Sequence, residues 1–470
     1  MTYRPLSAVV MAAGEGTRMR SATPKVLHPL CGRPMLLHVL DALAQLPLER
    51  IVIVVGHGAE QVTKTTQDQA GTDVPIAFVE QHVQRGTGDA AGVALTAFPD
   101  ELDGEDDILV LPGDTPLLRA ETLAAVATAH RESDAAATVL SARVPDPTGY
   151  GRIVRDDNGN VAAVTEHRDA DDDTLAIDEV NTSIYCFRRG LLAPALRRLS
   201  PENSQGEYYL TDALAVLREA GHVVAGVEVD DAAEARGVND RAQLAEAEAA
   251  LRERINGAWM RDGVTMVDPA TTYVDTDVEL AADVRLLPGT SLEGHTVVGR
   301  GSVIGPHSRL VDTVVGEAVT VASSTVLESE LDDRSTVGPY SHVRPGTHLG
   351  VGAKIGSFVE TKNAEIGDGA KVPHLSYVGD AEVGEGSNLG AGTITANYDG
   401  NTKHRTRIGK RVHTGSNTVL VAPVELGDDA GTGAGAVVTR DVPPGHLAKG
   451  VPARSEEMSG DDEAAGDGED

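Results

Sequence analysis

The segment from Met11 to Lys25, MAAGEGTRMRSATPK, places two glycines close to fixed positive charge. Gly14 and Gly16 permit backbone conformations in which N–H groups point at an anion. Arg18 and Lys25 follow within a few residues and supply cationic side chains. The apolar run before the glycines predicts a buried strand that ends at this loop, and a helix starting after it would add its N-terminal dipole. These residue types predict an anion-binding loop.

Two common phosphate-binding motifs do not fit this loop. GEGTRM lacks the third glycine of a dinucleotide-binding loop, and no clear acidic strand end follows about 20 residues later. The Gly-Lys-Ser/Thr ending of a P-loop is absent. A plain structural turn stays open for a bare Gly-x-Gly, although Arg18 and Pro24-Lys25 favour an anion site.

The acidic composition restricts the partners of the chain. The 470 residues carry a net charge of −32, which disfavours sequence-independent binding to nucleic acid and attraction to anionic membranes. No apolar run reaches about 18 residues, so we expect no membrane insertion. Cys31 and Cys186 lie far apart and suggest neither a disulfide framework nor a metal site. We expect a cytoplasmic protein, with either an ordinary solvated acidic surface or one adapted to salt.

Residues 1 to about 230 alternate short apolar runs with helical patterns. This alternation predicts an α/β domain built on a mostly parallel sheet. The segment Asp240 to Gly263 is rich in Ala, Leu, Glu and Arg and lacks proline, which predicts one long helix. We interpret this helix as the connector between two architectures.

After the connector, apolar residues recur every six positions, as at Val274, Leu280, Leu286 and Leu292. A period of six predicts three short faces per eighteen-residue coil, with one apolar side chain per face pointing inward. The sequence therefore predicts a parallel β-helix of hexapeptide repeats. The polar and basic stretch 395–407 interrupts the period, which favours a functional excursion. The last residues, 453–470, form an acidic low-complexity tail that we expect to be disordered.

The β-helix contains polar residues that its apolar interior does not need. Arg344 and Lys362 are eighteen residues apart, so one coil stacks them on the same face. His374 lies twelve residues beyond Lys362, and Tyr377 follows it. A lone histidine is most often a satisfied polar residue, but this group also suits general base chemistry near neutral pH.

The opening loop, AAGEGTRM followed four residues later by PK, resembles the signature of sugar-1-phosphate nucleotidyltransferases. The resemblance implies that Arg18 and Lys25 stabilise phosphate charge during catalysis, with UTP as a co-substrate. It also implies a Mg²⁺ ion held by Asp114 and Asn239. The residues expected to bind UDP-N-acetylglucosamine are Met11, Ala12, Ala13, Gly14, Lys25, Gln81, Gly86, Thr87, Asp114, Gly151, Glu166, Asn181 and Asn239.

The C-terminal pattern VRPG, FVETKNAEIG, HLSYVGD and NLGAGTITANYDG extends the resemblance to residues 5–452. Over that length the chain is similar to the bifunctional bacterial N-acetylglucosamine-1-phosphate uridylyltransferase/glucosamine-1-phosphate N-acetyltransferase family. The resemblance implies that His374 is the catalytic base and that Glu360 orients it. Glucosamine-1-phosphate would bind at Arg344, Lys362, Tyr377 and Asn388. Acetyl-CoA would bind at Ala391, Asn397, Tyr398, Lys403, Ser416 and Ala434.

The resemblance implies a Rossmann-like mixed-sheet nucleotidyltransferase domain at residues 1–239, a linker helix at 240–263 and a left-handed β-helix acetyltransferase domain at 264–452. It also implies a homotrimer assembled through the β-helix. The expected function is acetyl transfer from acetyl-CoA to glucosamine-1-phosphate, then uridylyl transfer from UTP, in bacterial cell-wall synthesis. Two alternatives stay open. One is a single-activity nucleotidyltransferase whose β-helix only oligomerises or regulates, and the other is a catalytically silent scaffold.

Overall fold

The computed structural model of the protein describes residues 4–98 and 106–457. The chain divides into two compact units, Met1–Leu251 and Arg252–Asp470, called unit 1 and unit 2 below. The division falls inside helix α8 (Arg241–Arg261), within the segment predicted to be a long helix. Among the described residues, no helix combines the length and apolar character needed to cross a membrane.

Unit 1 alternates strands and helices, as the sequence predicts. Its strands are β1 (Leu6–Ala12), β2 (Pro29–Leu30), β3 (Arg33–Pro34), β4 (Leu48–Val55), β5 (Ile76–Glu80), β6 (Asp107–Pro112), β7 (Ala137–Arg143), β8 (Arg152–Arg155), β9 (Val161–Thr165), β10 (Glu179–Arg188) and β11 (Val224–Glu228). Its helices are α1 (Met35–Ala44), α2 (Ala59–Gln69), α3 (Thr87–Leu95), α4 (Ala120–Glu132), α5 (Asp172–Leu175), α6 (Arg189–Leu196) and α7 (Leu210–Glu219).

The main sheet of unit 1 has the strand order β11-β7-β10-β6-β1-β4-β5. Strand β10 runs antiparallel to β6 and β7, whereas β1 is parallel to both β4 and β6. The expected α/β mixed sheet is therefore confirmed. Because β1 and β6 are parallel neighbours, the loops that follow them leave the sheet at the same edge. The Gly113 N–H donates to the Met11 carbonyl at 2.9 Å, which joins the two loops directly.

Helices cover both faces of this sheet. Side chains alternate between the faces along a strand, so Val10 joins the core cluster that includes α1, and Val9 joins the cluster that includes α3 and α7. Both side chains are buried. This double covering fixes β1 from both sides and makes its carboxyl end a rigid base for the glycine loop.

Unit 2 consists of short parallel strands stacked in two continuous sheets. The residues at six-residue spacing, among them Val274, Leu280, Leu286 and Leu292, are buried in one core. The strands are β12 (Thr265–Met266), β13 (Tyr273–Val274), β14 (Glu279–Leu280), β15 (Arg285–Leu286), β16 (Ser291–Glu293), β17 (Val297–Val298), β18 (Val303–Ile304), β19 (Arg309–Val311), β20 (Val314–Val315), β21 (Thr320–Val321), β22 (Thr325–Leu327), β23 (Glu330–Leu331), β24 (Thr336–Val337), β25 (His342–Val343), β26 (His348–Leu349), β27 (Lys354–Ser357), β28 (Glu360–Ile366), β29 (Lys371–His374), β30 (Tyr377–Val383), β31 (Asn388–Leu389), β32 (Ile394–Ala396), β33 (Thr406–Ile408), β34 (His413–Thr414), β35 (Val419–Val421), β36 (Val424–Leu426), β37 (Gly431–Thr432), β38 (Val437–Val438), β39 (His446–Gly450) and β40 (Ala453–Glu457). The predicted parallel β-helix is confirmed, and its handedness stays a prediction.

Two features modify the regular coil. The predicted excursion lies between β32 and β33, where Tyr398 and Lys403 form an antiparallel bridge. At the end of the unit, β40 pairs antiparallel with β39. This hairpin differs from the disorder expected from residue 453 onward, because backbone pairing orders Ala453–Glu457 despite their polar composition. The rest of the acidic tail lies outside the described residues.

Candidate active sites

The glycine loop leaves β1 and turns at Gly16, whose φ is +62°. A short 3-10 turn, Thr17–Met19, follows, so the predicted helix dipole is replaced by a single turn. A Cβ atom added at Gly16 would lie 2.6 Å from the Cβ of Lys25, whereas one at Gly14 would meet no atom within 4 Å. Gly16 is therefore required by the protein's own packing. The open space at Gly14 is available to a ligand.

Three side chains from distant parts of unit 1 meet beside this loop. The Lys25 ammonium forms an ion pair with the Asp114 carboxylate and donates a hydrogen bond to Asn239 Oδ1 at 2.8 Å. The Arg18 guanidinium donates to the same Asn239 oxygen at 2.9 Å. Asp114 and Asn239 thus present their oxygens to one point, where positive charge is stabilised.

The backbone around Asp114 and Asn239 holds both residues in place. The Val238 N–H donates to the Asp114 carbonyl at 2.9 Å, and the Asn239 N–H donates to Gln243 Oε1 at 2.8 Å. A Cβ atom at Gly237 would lie 3.3 Å from Asp114 Oδ1. The close approach of this glycine keeps the two oxygen-bearing side chains adjacent.

A cleft of about 550 Å³ opens over this cluster. Its wall includes the segment after β5, where the Gln84 side chain donates to the Ala13 carbonyl at 2.6 Å. Gly86 has a φ of +106°, and a Cβ atom there would lie 2.6 Å from the Tyr208 carbonyl oxygen. The predicted residues that line the cleft are Met11, Ala12, Ala13, Gly14, Arg18, Lys25, Gln81, Gly86, Thr87, Asp114, Asn181 and Asn239.

A smaller chamber of about 220 Å³ contains Glu166 together with Asn181. Gly151 contributes no side chain, but a Cβ atom there would lie 3.5 Å from Glu166 Oε2. Burial raises the pKa of Glu166, against a weak hydrogen bond from the Thr211 hydroxyl at 3.4 Å. A desolvated carboxyl of this kind suits hydrogen bonding to an uncharged ligand group.

In unit 2, cationic side chains gather around one face of the coil. Arg344 donates to Glu360 Oε1 at 2.8 Å. The ammonium of Lys403, through direct contact and its charge, lowers the pKa of Lys362, and the charge of Arg344 adds to this effect. Two ammonium groups held this close favour an anion between them. The excursion at 395–407 supplies Lys403 and so completes the cluster.

An amide network lies next to this cationic cluster. Asn397 donates to Asp380 Oδ2 at 2.5 Å and lies 3.4 Å from the Tyr377 hydroxyl. Asn363 donates to the other oxygen of Asp380 at 2.7 Å. A side chain at Gly379 would overlap the Tyr377 ring. The network therefore fixes the Tyr377 hydroxyl near the cations.

Four other predicted residues of unit 2 lie in a second row along the coils, and Tyr398 lies in the excursion, where it bridges to Lys403. His374 is exposed at the end of β29, and its carbonyl accepts from the Gly392 N–H at 3.2 Å. Continuing the registers of the adjoining strands aligns His374 with Ala391, Ser416 and Ala434 in successive coils.

The structure places two other predicted residues, Glu360 and Asn388, as follows. The carboxylate of Glu360 pairs with Arg344, and among the described residues it makes no hydrogen bond to His374. Asn388 pairs with Lys371, in the sheet that contains His374 and not in the sheet that contains Lys362. Sequence spacing did not reveal the Glu360–Arg344 pair or the sheet of Asn388, because it specifies neither the direction of a side chain nor the strand that a coil joins.

Several residues of these sites were not predicted. Gln84 anchors the glycine loop, and Gly237 approaches Asp114. Asp380 accepts hydrogen bonds from both Asn363 and Asn397. Each lies within three residues of a predicted site residue: Gln84 precedes Gly86, Gly237 precedes Asn239, and Asp380 follows Tyr377. Proximity to a predicted residue was therefore the available signal.

No cluster of three or more His, Cys, Asp or Glu side chains suited to a metal is found in residues 4–98 and 106–457. Mg²⁺ does not need such a cluster, because it is commonly held by one or two protein oxygens together with substrate phosphates. The two oxygens of Asp114 and Asn239 that converge on the Lys25 ammonium form such a donor pair.

The fold and the cleft define a nucleotidyltransferase joined to a hexapeptide β-helix. The family described as "MobA-like NTP transferase domain" matches residues 8–216. The chain is 50% identical to the "Bifunctional protein GlmU" of Streptomyces avermitilis, over 95% of this chain and 92% of that protein. It is 49% identical to the protein of that name from Brevibacillus brevis, over 94% of each chain. The counterpart in Thermobifida fusca is 50% identical over 95% of this chain and 92% of its own length. The chain belongs to the GlmU family of bifunctional proteins.

Proposed function

We propose that the chain acetylates glucosamine-1-phosphate in unit 2 and then, in unit 1, joins N-acetylglucosamine-1-phosphate to UTP. The observation that best supports the second step is the convergence of Arg18, Lys25, Asp114 and Asn239 beside the open glycine loop. Phosphoryl transfer depends mainly on positioning and on stabilising charge, and this cluster supplies both.

In the uridylyl step, an oxygen of the sugar phosphate attacks the α-phosphorus of UTP. The bond from that phosphorus to the bridging oxygen breaks, and pyrophosphate leaves with its electron pair. Arg18 and Lys25 hold the phosphates in line and stabilise their charge. The glycine loop and Gln81 bind the nucleotide, and Glu166 with Asn181 bind the sugar.

We propose that Mg²⁺ binds through the oxygens of Asp114 and Asn239. When bound, the ion supplies charge neutralisation on the phosphates of UTP. Lys25 lies between the two oxygens in the structure and keeps them close together. Its flexible side chain can then turn toward a phosphate as the ligand enters.

In the acetyl step, the amine of glucosamine-1-phosphate attacks the thioester carbonyl of acetyl-CoA. The carbon–sulfur bond breaks, and coenzyme A leaves as its thiolate, which takes up a proton. His374 accepts the proton that the amine loses. Arg344, Lys362 and Lys403 offer positive charge to the phosphates of the two substrates. Their mutual proximity is the feature that supports this role.

We further propose that unit 2 assembles into a homotrimer and that the enzyme works in the cytoplasm. Neither substrate binding nor the β-helix requires a membrane or a nucleic acid. The competing function is a single-activity nucleotidyltransferase with a β-helix that only oligomerises. The separate cationic cluster at Lys362 and Lys403 favours the bifunctional proposal, because oligomerisation alone does not need it.

An omission assay tests the proposal. Purified protein receives glucosamine-1-phosphate, acetyl-CoA, UTP and Mg²⁺, with one component left out at a time. We expect UDP-N-acetylglucosamine only in the complete mixture. Free coenzyme A should still be released when UTP alone is left out. Supplying N-acetylglucosamine-1-phosphate in place of glucosamine-1-phosphate and acetyl-CoA should restore the product. Uridylyl transfer without any acetyl-CoA consumption would support the single-activity alternative.

A further inference from the structure

The hairpin formed by β8 and β9 lies outside the main path of the sheet in unit 1. Gly151 comes directly before β8, and Glu166 comes directly after β9. Because Arg152 pairs with Thr165, Gly151 and Glu166 lie opposite each other at the open end of the hairpin. We call residues 151–166 the sugar arm. Its position relative to β10 determines the shape of the chamber that contains Glu166.

Backbone pairing holds the sugar arm to the sheet at its open end. In the described chain, the register of β8 with β10 contains a single residue pair, and the Asn181 N–H donates to the Gly151 carbonyl at 2.8 Å. The side chains of Ile153 and Val161 are buried in the core on one face of the sheet. Apolar packing of this kind is non-directional. A two-stranded hairpin is only marginally stable by itself, so the rest of the arm needs directional side-chain contacts to keep its place.

A buried ion pair supplies such a contact. Arg155, the last residue of β8, donates from Nε to Glu179 Oε2 at 2.9 Å and from Nη2 to Glu179 Oε1 at 2.5 Å. The Ser141 hydroxyl of β7 donates to the same carboxylate at 2.6 Å, and the Glu179 side chain is only 3% exposed. A bidentate pair fixes the orientation of the guanidinium as well as its position. A second pair joins Asp156 to Arg218 of α7 at 2.8 Å, but its carboxylate is more exposed and we expect it to contribute less.

The partners of the buried pair lie on the elements that carry the expected sugar contacts. Arg155 follows Gly151 by four positions on the arm, and Glu179 precedes Asn181 by two positions on β10. Alternate residues of a strand share one face, so Glu179 and Asn181 point to the same side of the sheet. A shift of the arm relative to β10 would change the distance between Gly151 and Asn181, and loss of the pair would permit such a shift.

We propose that the Arg155–Glu179 pair is a positioning contact that holds the sugar arm in place for N-acetylglucosamine-1-phosphate. This inference rests on the proposed uridylyl transfer. Neither side chain lines the cleft or the chamber, so the pair acts through Gly151, Glu166 and Asn181. The glycine loop follows β1, whereas the pair joins β8 to β10. Binding of the nucleotide should therefore not depend on the pair.

The first test is Arg155→Met, which removes the pair while Ser141 and Arg143 still lie near the Glu179 carboxylate. We expect KM for N-acetylglucosamine-1-phosphate to rise about ten-fold, the equivalent of one hydrogen bond lost to the ligand. KM for UTP should be unchanged, and kcat should change less than the sugar KM because the pair acts on sugar binding. Arg155→Lys should give an intermediate KM, since lysine keeps the charge but not the bidentate geometry.

Two further variants separate positioning from stability. The double variant Arg155→Met/Glu179→Gln no longer carries an unpaired buried charge, so its unfolding temperature should recover toward that of the wild type. Its sugar KM should stay raised. Arg189→Met is the matched control, because Arg189 Nε lies 2.5 Å from the buried Asp106 Oδ1 at the opposite end of β10. The control should lower the unfolding temperature and leave the sugar KM unchanged.

An unchanged sugar KM in Arg155→Met, or an equal rise in the control, would overturn the positioning role. So would a sugar KM that returns to normal together with the unfolding temperature in the double variant. If Arg155→Met does not fold, Arg155→Lys and the double variant provide the same comparison.

Calorimetric titration with UDP-N-acetylglucosamine and with UDP distinguishes failure of this inference from failure of the proposed function. In the wild type the sugar should add affinity beyond that of UDP, and in Arg155→Met this increment should fall while the affinity for UDP stays the same. A wild type that binds both ligands but forms no product would contradict the proposed uridylyl transfer. The change in the sugar increment would still decide the role of the pair. An increment that is equal in the wild type and in Arg155→Met would overturn it.

Discussion

The two units bring reactive side chains together in different ways. In unit 1, Lys25 and Asn239 are 214 residues apart in sequence and meet because parallel strands end at one edge of a sheet. In unit 2, Arg344 and Glu360 meet because they are 16 residues apart, close to one coil. An irregular fold thus needs the complete topology to form a site. A solenoid forms a row of side chains from its period alone.

The two sites also differ in how their charges are arranged. In unit 1, the cations Arg18 and Lys25 are paired with Asp114 and Asn239 inside a cleft. In unit 2, Lys362 and Lys403 approach each other on an exposed face, where each charge disfavours the other. The first arrangement is complete without a ligand. In unit 2 the two ammonium groups repel each other, and an anionic ligand bound between them would reduce that repulsion.

The largest expected effect is a selective loss of acetyl transfer when the proposed base in unit 2 is replaced. We expect His374→Ala to lower acetyl transfer by about 10²–10⁴-fold, because general base catalysis contributes that range. Uridylyl transfer from supplied N-acetylglucosamine-1-phosphate should be unchanged. Separate assays of both steps measure the effect, with His295→Ala, an exposed histidine in an early coil, as the control. Retained acetyl transfer would remove His374 from the mechanism.

In unit 1, replacing Asp114 is expected to cause a selective loss of uridylyl transfer. Asp114→Ala should lower uridylyl transfer on the order of 10²–10³-fold, since one charge-stabilising group is lost at the phosphates. Acetyl transfer should persist. The response to Mg²⁺ should weaken as well, which titration of the rate with Mg²⁺ measures. Asp157→Ala, at an exposed turn, is the matched control. An unchanged Mg²⁺ dependence would contradict the metal role of Asp114.

Much of this organisation could be predicted from the sequence. The six-residue period predicted the interior of unit 2, because one apolar residue per face is a local rule. The strands of unit 1 followed from short apolar runs. The ion pair of Glu360 with Arg344, and the different sheet of Asn388, could not be predicted. They depend on side-chain direction and on which strand a coil joins, and the period does not specify either.

A core substitution tests whether the period alone determines unit 2. Leu349 is fully buried, and its coil offers one apolar side chain per face. Leu349→Ala should destabilise unit 2 by about 2–5 kcal/mol, because the stacked coils limit collapse around the cavity. Denaturant unfolding measures the loss, with the half-exposed Val314→Ala as the control. Equal effects of the two substitutions would show that the inward column is not the principal source of stability.

The smallest expected effect is a dependence of unit 2 stability on pH. The His348 ring lies 3.0 Å from Asp332 Oδ2 and 3.1 Å from Glu365 Oε2. Partial burial lowers the pKa of His348, but these two hydrogen bonds outweigh it and raise the pKa above its ordinary 6.5. The stabilising contribution is therefore complete below pH 6.5 and is lost as pH rises through the folded-state pKa.

Thermal unfolding of the wild type and His348→Gln at pH 6 and pH 9 measures this contribution. The wild type should exceed the variant in unfolding temperature by a larger margin at pH 6 than at pH 9. A margin that is independent of pH, or larger at pH 9, would show that protonation of His348 does not stabilise the coil.

The central claim is that one chain contains two independent catalytic sites. The most direct test mixes His374→Ala and Asp114→Ala proteins with glucosamine-1-phosphate, acetyl-CoA, UTP and Mg²⁺. Each variant alone should form almost no UDP-N-acetylglucosamine, because each lacks one of the two steps. The mixture should form it at a substantial fraction of the wild-type rate, since the acetylated intermediate passes from one protein to the other. A mixture as inactive as its components, with both proteins folded, would contradict the account.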